Sequence, residues 1–254
     1  MTTQNSDVLI IIPTLGQRLS YMRETLQSLV DQTLPVDVVV LAPSFDSDLN
    51  QLLDDFPTIQ REVCNGNIAT VVNSRLMNCD SYLFANWIGD DDRLPPRSVE
   101  LAYDTISRDP ECVLAFGRCT YIDEHGNTLM TSNIDRVARF LNPFLPAAIK
   151  LEGGLFSIAA FREVGGLDPT LRFTPDVDLV LKLAKFGRIR SIGKIVSEFR
   201  LHVGSDTTSR RAEQLMEAQT VQRRYLRPPA KGLHLLISPI IRLILRYFFG
   251  RVSN

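Results

Sequence analysis

The sequence predicts an α/β fold, with a mainly parallel, doubly wound sheet. Between residues 8 and 121, short runs rich in β-branched residues alternate with stretches whose apolar residues recur at helical spacing. The first run, Val8–Ile12, is apolar at every position, which is typical of a parallel strand covered on both faces. Strands that alternate with helices are joined by crossovers, and crossovers produce parallel neighbours.

The first half is predicted to contain strands and helices in strict alternation. The predicted strands are Val8–Ile12, Val36–Ala42, Ser81–Ile88 and Val113–Tyr121. The predicted helices are Ser20–Asp31, Asp48–Phe56, Asn67–Met77 and Arg97–Ile106. Pro95 and Pro96 precede the last of these helices, where proline suits the first turn. The stretch from Asp123 to Asn127 is typical of a hairpin turn.

The second half has a more mixed pattern. Its predicted elements are helices over Ser157–Val164, Asp176–Phe186 and Ser209–Leu226, and paired strands over Ile189–Phe199. Ser157 is expected to cap the first of these helices, and Gly165 and Gly166 to end it. The paired strands are expected to turn around Gly193. We therefore predict one domain over residues 1–208, with halves at about 1–121 and 122–208, followed by a helical tail over 209–254.

The bulk composition excludes several classes of protein. With 254 residues, 44% of them hydrophobic, the chain is long enough to bury a core without disulfides. A formal net charge of −1 gives no global attraction for nucleic acid. The cysteines form no CxxC pair, and the N-terminal apolar run is too short for a signal peptide. No apolar stretch reaches the ~20 residues that cross a bilayer, so a cytoplasmic protein is expected.

Three adjacent aspartates, Asp90, Asp91 and Asp92, follow the predicted strand Ser81–Ile88. Charges this close need a positive partner, because a carboxylate is costly to bury alone. Ligands of open α/β sheets bind beyond the carboxyl ends of the strands, where these residues are expected to lie. Mg²⁺ and Mn²⁺ take oxygen ligands, usually one or two carboxylates together with substrate phosphates. The pattern favours a divalent-cation site; the alternative is a solvated loop in which one aspartate caps the next helix.

Five motifs, taken in order, resemble those of inverting family-2 glycosyltransferases, which have the GT-A fold. They are Ile10–Thr14 (a strand ending in Pro-Thr), Gly89–Asp92 (Asp-x-Asp-Asp in the family), Gly153–Asp168 (with two Gly-Gly pairs), Pro175–Asp178 (Glu-Asp-x-Asp in the family) and Arg200–Ser205 (Arg-x-His-x-x-Ser). The resemblance covers about Val8 to Ser209. It implies a Rossmann-like domain with a nucleotide-binding half and an acceptor half, and a nucleotide-diphosphate-sugar as donor.

The resemblance also implies roles for individual residues. Those implied to bind substrate are Pro13, Thr14, Gly16, Arg18, Ser44, Asn73, Arg75, Asp90, Gly154, Arg200 and Ser205. Those implied to bind Mn²⁺ or Mg²⁺ are Asp91, Asp92 and His202. The register of the aspartates stays open: in one alignment Asp90 meets the ribose and Asp92 the metal, whereas Asp91 is the metal ligand if Leu94 is aligned. The alternative for Asn73 and Arg75 is an exposed helix position.

Asp176 is the predicted catalytic base. Sugar transfer requires the acceptor hydroxyl to lose a proton as it attacks the anomeric carbon, and a carboxylate within hydrogen-bond reach removes that proton. One base and one displacement give inversion of configuration. The alternative role for Asp176 is to cap the helix that it begins, and Asp178 is expected to be structural.

One departure from the family pattern lies at the end of the second strand. The family usually has aspartates there, one of which recognises the nucleotide base, but this chain has Ala42 and Pro43. Neither side chain can supply that hydrogen bond, which leaves Ser44 or Asp46 as candidates. The identity of the base therefore stays open.

The tail, residues 209–254, is basic and apolar. Beyond Lys231 it is mostly Leu, Ile and Phe, with polar residues four apart at His234, Ser238, Arg242 and Arg246. On a helix this spacing gives one polar stripe opposite a broad apolar arc. Such a helix is typical of one that lies in the surface of an anionic membrane. The alternative is a helix docked on its own domain or in a dimer interface.

We therefore predict a metal-dependent, inverting glycosyltransferase of bacterial surface-polysaccharide or lipopolysaccharide synthesis. Its acceptor is predicted to be a saccharide or lipid-linked saccharide, and its location the cytoplasm, peripheral at the inner face of the cell membrane. A rival function, sugar-1-phosphate nucleotidyl transfer, calls for a Gly-rich basic loop after the first strand, of which Leu15–Arg18 is a poor version. The other rival is a non-catalytic, membrane-associated relative that binds nucleotide without turnover.

Overall fold

The computed structural model describes residues 6–145, 148–202 and 210–252, with side chains described except at 211, 233 and 242–252. The elements, in chain order, are β1 Val8–Pro13, α1 Leu19–Val30, β2 Asp37–Ala42, α2 Ser47–Asp54, β3 Gln60–Val63, α3 Ile68–Leu76, β4 Phe84–Trp87, α4 Ser98–Ser107, β5 Cys112–Ile122, β6 Thr128–Thr131, α5 Asp135–Leu141, β7 Leu155–Ser157, α6 Ile158–Glu163, α7 Pro175–Phe186, β8 Arg188–Arg200, α8 Arg211–Tyr225 and α9 Pro228–Val252.

The strands form one sheet in the order β3-β2-β1-β4-β7-β5-β6, with β8 paired to β5. The first four strands in this order are all parallel. The short strand β7 runs antiparallel between β4 and β5, and β6 is antiparallel to β5. The predicted α/β class with a mainly parallel sheet is confirmed, and the parallel strands bring the ends of β1 and β4 side by side.

The position of β1 in the sheet explains why its sequence is continuously apolar. Leu9 and Ile11 pack on one face of the sheet with the buried residues of α3, α6 and α7. Ile10 and Ile12 pack on the other face with the buried residues of α1, α2 and α4. Successive side chains of a strand point to opposite faces, so helices on both sides leave no solvated position in β1.

The region from 188 to 200 differs from its prediction. It forms one long strand, β8, parallel to β5, and not two paired strands. Gly193 has a positive φ of 72°, and the register with β5 shifts on both sides of it. The glycine therefore marks an irregularity within one strand, because a local bend needs the left-handed conformation just as a hairpin does.

The sequence patterns missed β3, β7 and α5. Strand β7 has only three residues and lies next to α6, so it has no periodicity of its own. The capping predictions were more accurate: the Ser157 side chain accepts a hydrogen bond from the N–H of Ala160, and Gly165 and Gly166 have positive φ at the end of α6. Within the ranges described, no helix combines the length and apolarity needed to span a bilayer.

Candidate functional site

The acidic corner, which we define as Asp90, Asp91 and Asp92, lies at the end of β4 beside the end of β1. The Thr14 hydroxyl donates a 2.5 Å hydrogen bond to Asp90 Oδ2 and accepts one of 2.9 Å from the N–H of Gly16. Gly16 has a φ of 71°, which only glycine adopts without strain. Thr14 and Gly16, both predicted from the sequence, thus tie the β1–α1 loop to the corner, and Pro13 ends β1 immediately before them.

Arg18 supplies the positive charge that the acidic corner requires. Its Nη2 lies 2.7 Å from Asp90 Oδ1, and its Nη1 lies 2.6 Å from Asp91 Oδ2. A guanidinium presents a planar fork of donors, which lets one side chain pair with two carboxylates. Arg18 is about one-third exposed and reaches the corner from the loop before α1.

The Asp91 carboxylate and the His202 imidazole are in direct contact. His202 Nε2 lies 2.9 Å from Asp91 Oδ2, and Arg18 Nη1 lies 3.3 Å from that ring nitrogen. The Tyr21 ring packs against the imidazole with centroids 5.3 Å apart. A carboxylate oxygen and an imidazole nitrogen at one point are ligands that a divalent ion can take, and Arg18 is the cationic group that lies beside them. Among the residues described, however, no cluster of three acidic, histidine or cysteine side chains could hold a metal alone.

The other two aspartates are less accessible than Asp91. Burial raises the pKa of Asp90, against the opposing effects of the Thr14 hydrogen bond and the Arg18 charge. Burial, then the charges of Asp91 and Glu152, raise the pKa of Asp92 well above its ordinary value. Asp92 Oδ1 accepts the backbone N–H of Arg200 at 2.9 Å. These contacts favour Asp91, the most exposed of the three, as the metal ligand.

Arg200 has a structural role instead of the predicted contact with phosphate. Its side chain is fully buried, with Nη2 2.6 Å from a Glu24 carboxylate oxygen and Nε donating to the Asp91 carbonyl at 2.9 Å. Its guanidinium also lies over the Tyr21 ring, 4.5 Å from the centroid. These partners surround the buried guanidinium and leave it no surface for a ligand. Arg200 therefore holds the end of β8 to the acidic corner.

Asp176 lies in the first turn of α7 and is partly exposed. Loss of hydration in the folded chain raises the pKa of the Asp176 carboxyl to about 6. The Lys150 charge lowers this pKa, and the Glu152 charge raises it. The same two residues act on the pKa of Asp92. Asp176 therefore shares two charged neighbours, Lys150 and Glu152, with Asp92 of the acidic corner.

Lys150 and Glu152 are site residues that the sequence patterns missed. Burial lowers the pKa of Lys150, but the charges of Glu152, Tyr121, Cys119 and Asp176 outweigh that effect and raise it. The ammonium group also lies 3.9 Å from the Phe199 ring centroid. Glu152 Oε2 is buried and, within the described part of the chain, has no hydrogen-bond donor. Two opposite charges flanking Leu151, just before a Gly-Gly pair, were the available signal.

Hydrogen bonds from β4 hold the loop that carries Glu152. Asn86 of β4 donates from Nδ2 to the carbonyls of Leu151, at 2.5 Å, and Gly154, at 2.8 Å. Gly154 is buried, and a Cβ there would lie 2.4 Å from the Ala115 carbonyl oxygen. The structure thus gives Gly154, predicted to bind substrate, a packing role beneath Glu152.

Asn73 and Arg75, both predicted to bind substrate, do not contact the acidic corner. The Asn73 amide exchanges two hydrogen bonds with the backbone of Leu167. Arg75 lies 3.7 Å from Glu62, and its charge acts on Tyr82, which bonds to Asp37 at the opposite end of β2. The contacts of Asn73 and Arg75 are therefore with other parts of the fold.

Three candidate binding residues remain: Ser44 and Asp46 after β2, and Ser205 in the last motif. Ser44 is exposed just after β2, where a base could reach it, and its role stays a prediction. The Asp46 side chain is engaged as the cap of α2, accepting the Leu49 N–H at 2.9 Å. Ser205 lies outside the described residues.

Asp178, expected to be structural, connects α7 to α8. Its Oδ1 accepts a 2.5 Å hydrogen bond from the Tyr225 hydroxyl, and its Oδ2 lies 2.8 Å from Lys182 Nζ. The two acidic residues at the start of α7 thus have separate environments: Asp178 is paired and buried, and Asp176 is partly exposed near Lys150 and Glu152.

No model of a known protein family matches the sequence. An uncharacterized glycosyltransferase of Rickettsia prowazekii (strain Madrid E) is 23% identical over 242 residues, covering 91% of this chain and 74% of the relative. A crystal structure of S. aureus TarS 1-349 superposes with a TM-score of 0.66 at 15% identity, covering 96% of this chain and 72% of the other.

A further similar structure is the mannosyltransferase PcManGT from Pyrobaculum calidifontis in complex with GDP-Man and Mn²⁺. Its TM-score is 0.64 at 15% identity, with 96% of this chain and 70% of the other covered. The chain therefore has the fold of GT-A glycosyltransferases and is related in sequence to proteins named glycosyltransferases, as its motifs predict.

Proposed function

We propose that this protein transfers a sugar from a nucleotide-diphosphate-sugar to an acceptor hydroxyl, with inversion and with Asp176 as the base. One observation carries the proposal: a carboxyl with a pKa raised to about 6 shares Lys150 and Glu152 with an acidic corner at the carboxyl ends of β1 and β4. A base with a pKa near the working pH can both accept and return a proton.

Each residue of the cleft has a distinct task in this reaction. Asp176 removes the proton of the attacking hydroxyl. The buried Glu152 Oε2 accepts a hydrogen bond from a sugar hydroxyl, because a buried acceptor without a donor is costly. Lys150 opposes the rise in the pKa of Asp176, which keeps more of the base ionised near neutral pH.

Asp91 and His202 would hold Mn²⁺ or Mg²⁺, and the bound ion would neutralise the negative charge of the leaving diphosphate. Arg18, whose guanidinium already meets Asp91, is placed to pair with phosphate oxygens. Thr14 and Asp90 lie beside β1, where they border the nucleotide. The acceptor that we propose is a saccharide or lipid-linked saccharide of a bacterial surface polysaccharide or lipopolysaccharide, met at the inner face of the cell membrane.

Thermal melting with nucleotide diphosphates, with and without Mn²⁺, tests the donor half of the proposal. A ligand that binds only the folded state raises the melting temperature. We expect one base to give the largest shift, and we expect Asp91→Ala to abolish the Mn²⁺-dependent part. Asp104→Ala on α4 is the matched control, since Asp104 pairs only with surface Arg108 among the described ion pairs. If no nucleotide shifts the wild-type protein, the proposal is wrong.

Release of nucleoside diphosphate from the matching nucleotide sugars tests the chemistry. Asp176→Asn should keep the Mn²⁺-dependent thermal shift and lose at least about 100-fold in turnover, which is what removal of a general base typically costs. Turnover by Asp176→Asn at the wild-type rate would exclude Asp176 as the base. Pyrophosphate release from nucleoside triphosphate and sugar 1-phosphate would instead indicate nucleotidyl transfer.

A further inference from the structure

The basic charge of the protein is concentrated in its tail. Residues 209–254 contain nine Arg and Lys against two Glu, a net charge of +7. The whole chain has a net charge of −1, so residues 1–208 carry −8. A strongly basic segment on an acidic domain marks the tail as the part that anionic surfaces attract.

Helix α9 packs on α8 through its polar side, and α8 in turn contacts the domain. His234 is fully buried and Ser238 nearly so. The Gln219 amide donates to the Ser238 carbonyl at 3.0 Å, and His234 Nε2 lies 3.3 Å from Gln222 Oε1. Gln222 also donates to the Asn142 carbonyl at 2.6 Å. The first two residues of the predicted polar stripe are therefore the docking surface.

The opposite side of α9 is apolar and faces outward. Leu235, Leu236 and Ile240 are 55%, 75% and 59% exposed, and we call these three residues the tail face. A helix on a water-soluble domain normally buries its apolar side and exposes its polar side. Here that arrangement is reversed, so the tail face needs a cover other than its own domain.

The apolar sequence pattern of the tail continues beyond Ile240. Stepping by four from Leu236 and Ile240 leads to Ile244 and Phe248, and α9 remains helical to residue 252. Exposed Lys231 lies one turn before Leu235. Exposed apolar residues on a strongly basic helical segment are typical of a helix that lies in the membrane interface.

We propose that the tail face lies in the surface of an anionic lipid bilayer, with His234 and Ser238 holding α9 to α8. The partner is lipid, because the three exposed residues of the tail face are aliphatic and the net charge of the tail is positive, which complements an anionic headgroup layer. This inference deepens the peripheral location proposed for the enzyme, but it does not depend on sugar transfer.

Vesicle co-sedimentation of the full chain tests it, with vesicles of phosphatidylcholine alone and with added phosphatidylglycerol. The wild type should bind the anionic vesicles, and less in high salt, which screens the basic residues. The triple variant Leu235→Ser, Leu236→Ser, Ile240→Ser should bind at least about tenfold more weakly, since it loses the apolar area that enters the bilayer.

The matched control replaces three apolar residues of similar exposure elsewhere: Val30→Ser, Val63→Ser and Leu83→Ser, at 51%, 64% and 57% exposed. It should bind vesicles like the wild type. Circular dichroism and thermal melting confirm that each variant folds; if the triple variant does not fold, Leu236→Ser alone, at the most exposed position, replaces it.

Two results would overturn the proposal. One is equal vesicle binding by the wild type and the folded tail-face variant. The other is a wild-type dimer in light scattering that becomes a monomer in that variant, with no vesicle binding by either, because the tail face would then be covered by a second copy. Neither result bears on nucleotide binding, so each can be separated from failure of the proposed function.

Discussion

Asp176→Asn is expected to stabilise the protein at neutral pH and to leave its stability unchanged in acid. The pKa of the Asp176 carboxyl rises from 3.8 to about 6 on folding, chiefly because its surroundings are buried. Between these two values the folded state binds more protons than the unfolded state, so the free energy of unfolding falls as the pH rises. Above pH 6 both states are ionised and the full penalty is present.

The size of the penalty follows from the same numbers. A difference of about two pH units, at about 1.4 kcal/mol per unit, is about 3 kcal/mol. Asparagine is neutral at every pH and its side-chain oxygen can accept the same backbone N–H, so the variant avoids this penalty. Below pH 3.8 the aspartate is protonated in both states and the advantage of asparagine disappears.

Urea unfolding of both proteins at about pH 4 and about pH 7.5 measures the effect. The matched control is Asp178→Asn, the same change two residues along. It should destabilise the protein at neutral pH by about 2 kcal/mol, because Lys182 and Tyr225 lose a buried carboxylate partner. If Asp176→Asn changes stability equally at both pH values, the carboxyl is not held in a site that raises its pKa.

Two further predictions concern the frame around the cleft. Arg200→Lys should lower the free energy of unfolding by about 3 kcal/mol or more, because a lysine cannot pair with Glu24 and bond to the Asp91 carbonyl together. Urea titration measures this free energy, and a loss under about 1 kcal/mol would contradict the role given to Arg200. Gly153→Ala should be far more destabilising than Gly193→Ala: both positions have φ near 70°, but a Cβ at Gly153 would lie 1.9 Å from a backbone oxygen, whereas at Gly193 the space is open. The second change should cost only about 1–2 kcal/mol, and equal melting temperatures for the two variants would refute the comparison.

The acidic corner could be predicted from the sequence because its parts are local. Asp90–Asp92 directly follow a recognisable strand, and the Pro-Thr end of β1 is equally local. The rule that parallel strands end at one edge of the sheet explains why Thr14 lies next to Asp90 in the structure. The partner of the aspartates was harder to predict, because nothing local shows that the Arg18 side chain folds back onto them.

Residues whose role depends on packing between distant segments could not be assigned in this way. Lys150 and Glu152 acquire their properties from β4, β5 and α7, which meet them only in the folded chain. Arg200 was expected to be a phosphate ligand because arginine suits phosphate, but its buried position gives it protein partners instead. An exposed and a buried arginine are identical in sequence, so composition alone cannot separate the two roles.

The pairing of Arg18 with the acidic corner has a consequence for how a metal and a nucleotide bind. A free cation approaching Asp91 meets the guanidinium charge 2.6 Å from the same carboxylate oxygen, and the two cations repel. A bound diphosphate would offer Arg18 a new anionic partner, and Asp91 would then be available to hold the ion. Mn²⁺ and nucleotide diphosphate together should therefore raise the melting temperature by more than the sum of their separate shifts. In Arg18→Ala the shift with Mn²⁺ alone should grow and this synergy should shrink; purely additive shifts in the wild type would show that Arg18 does not compete with the ion.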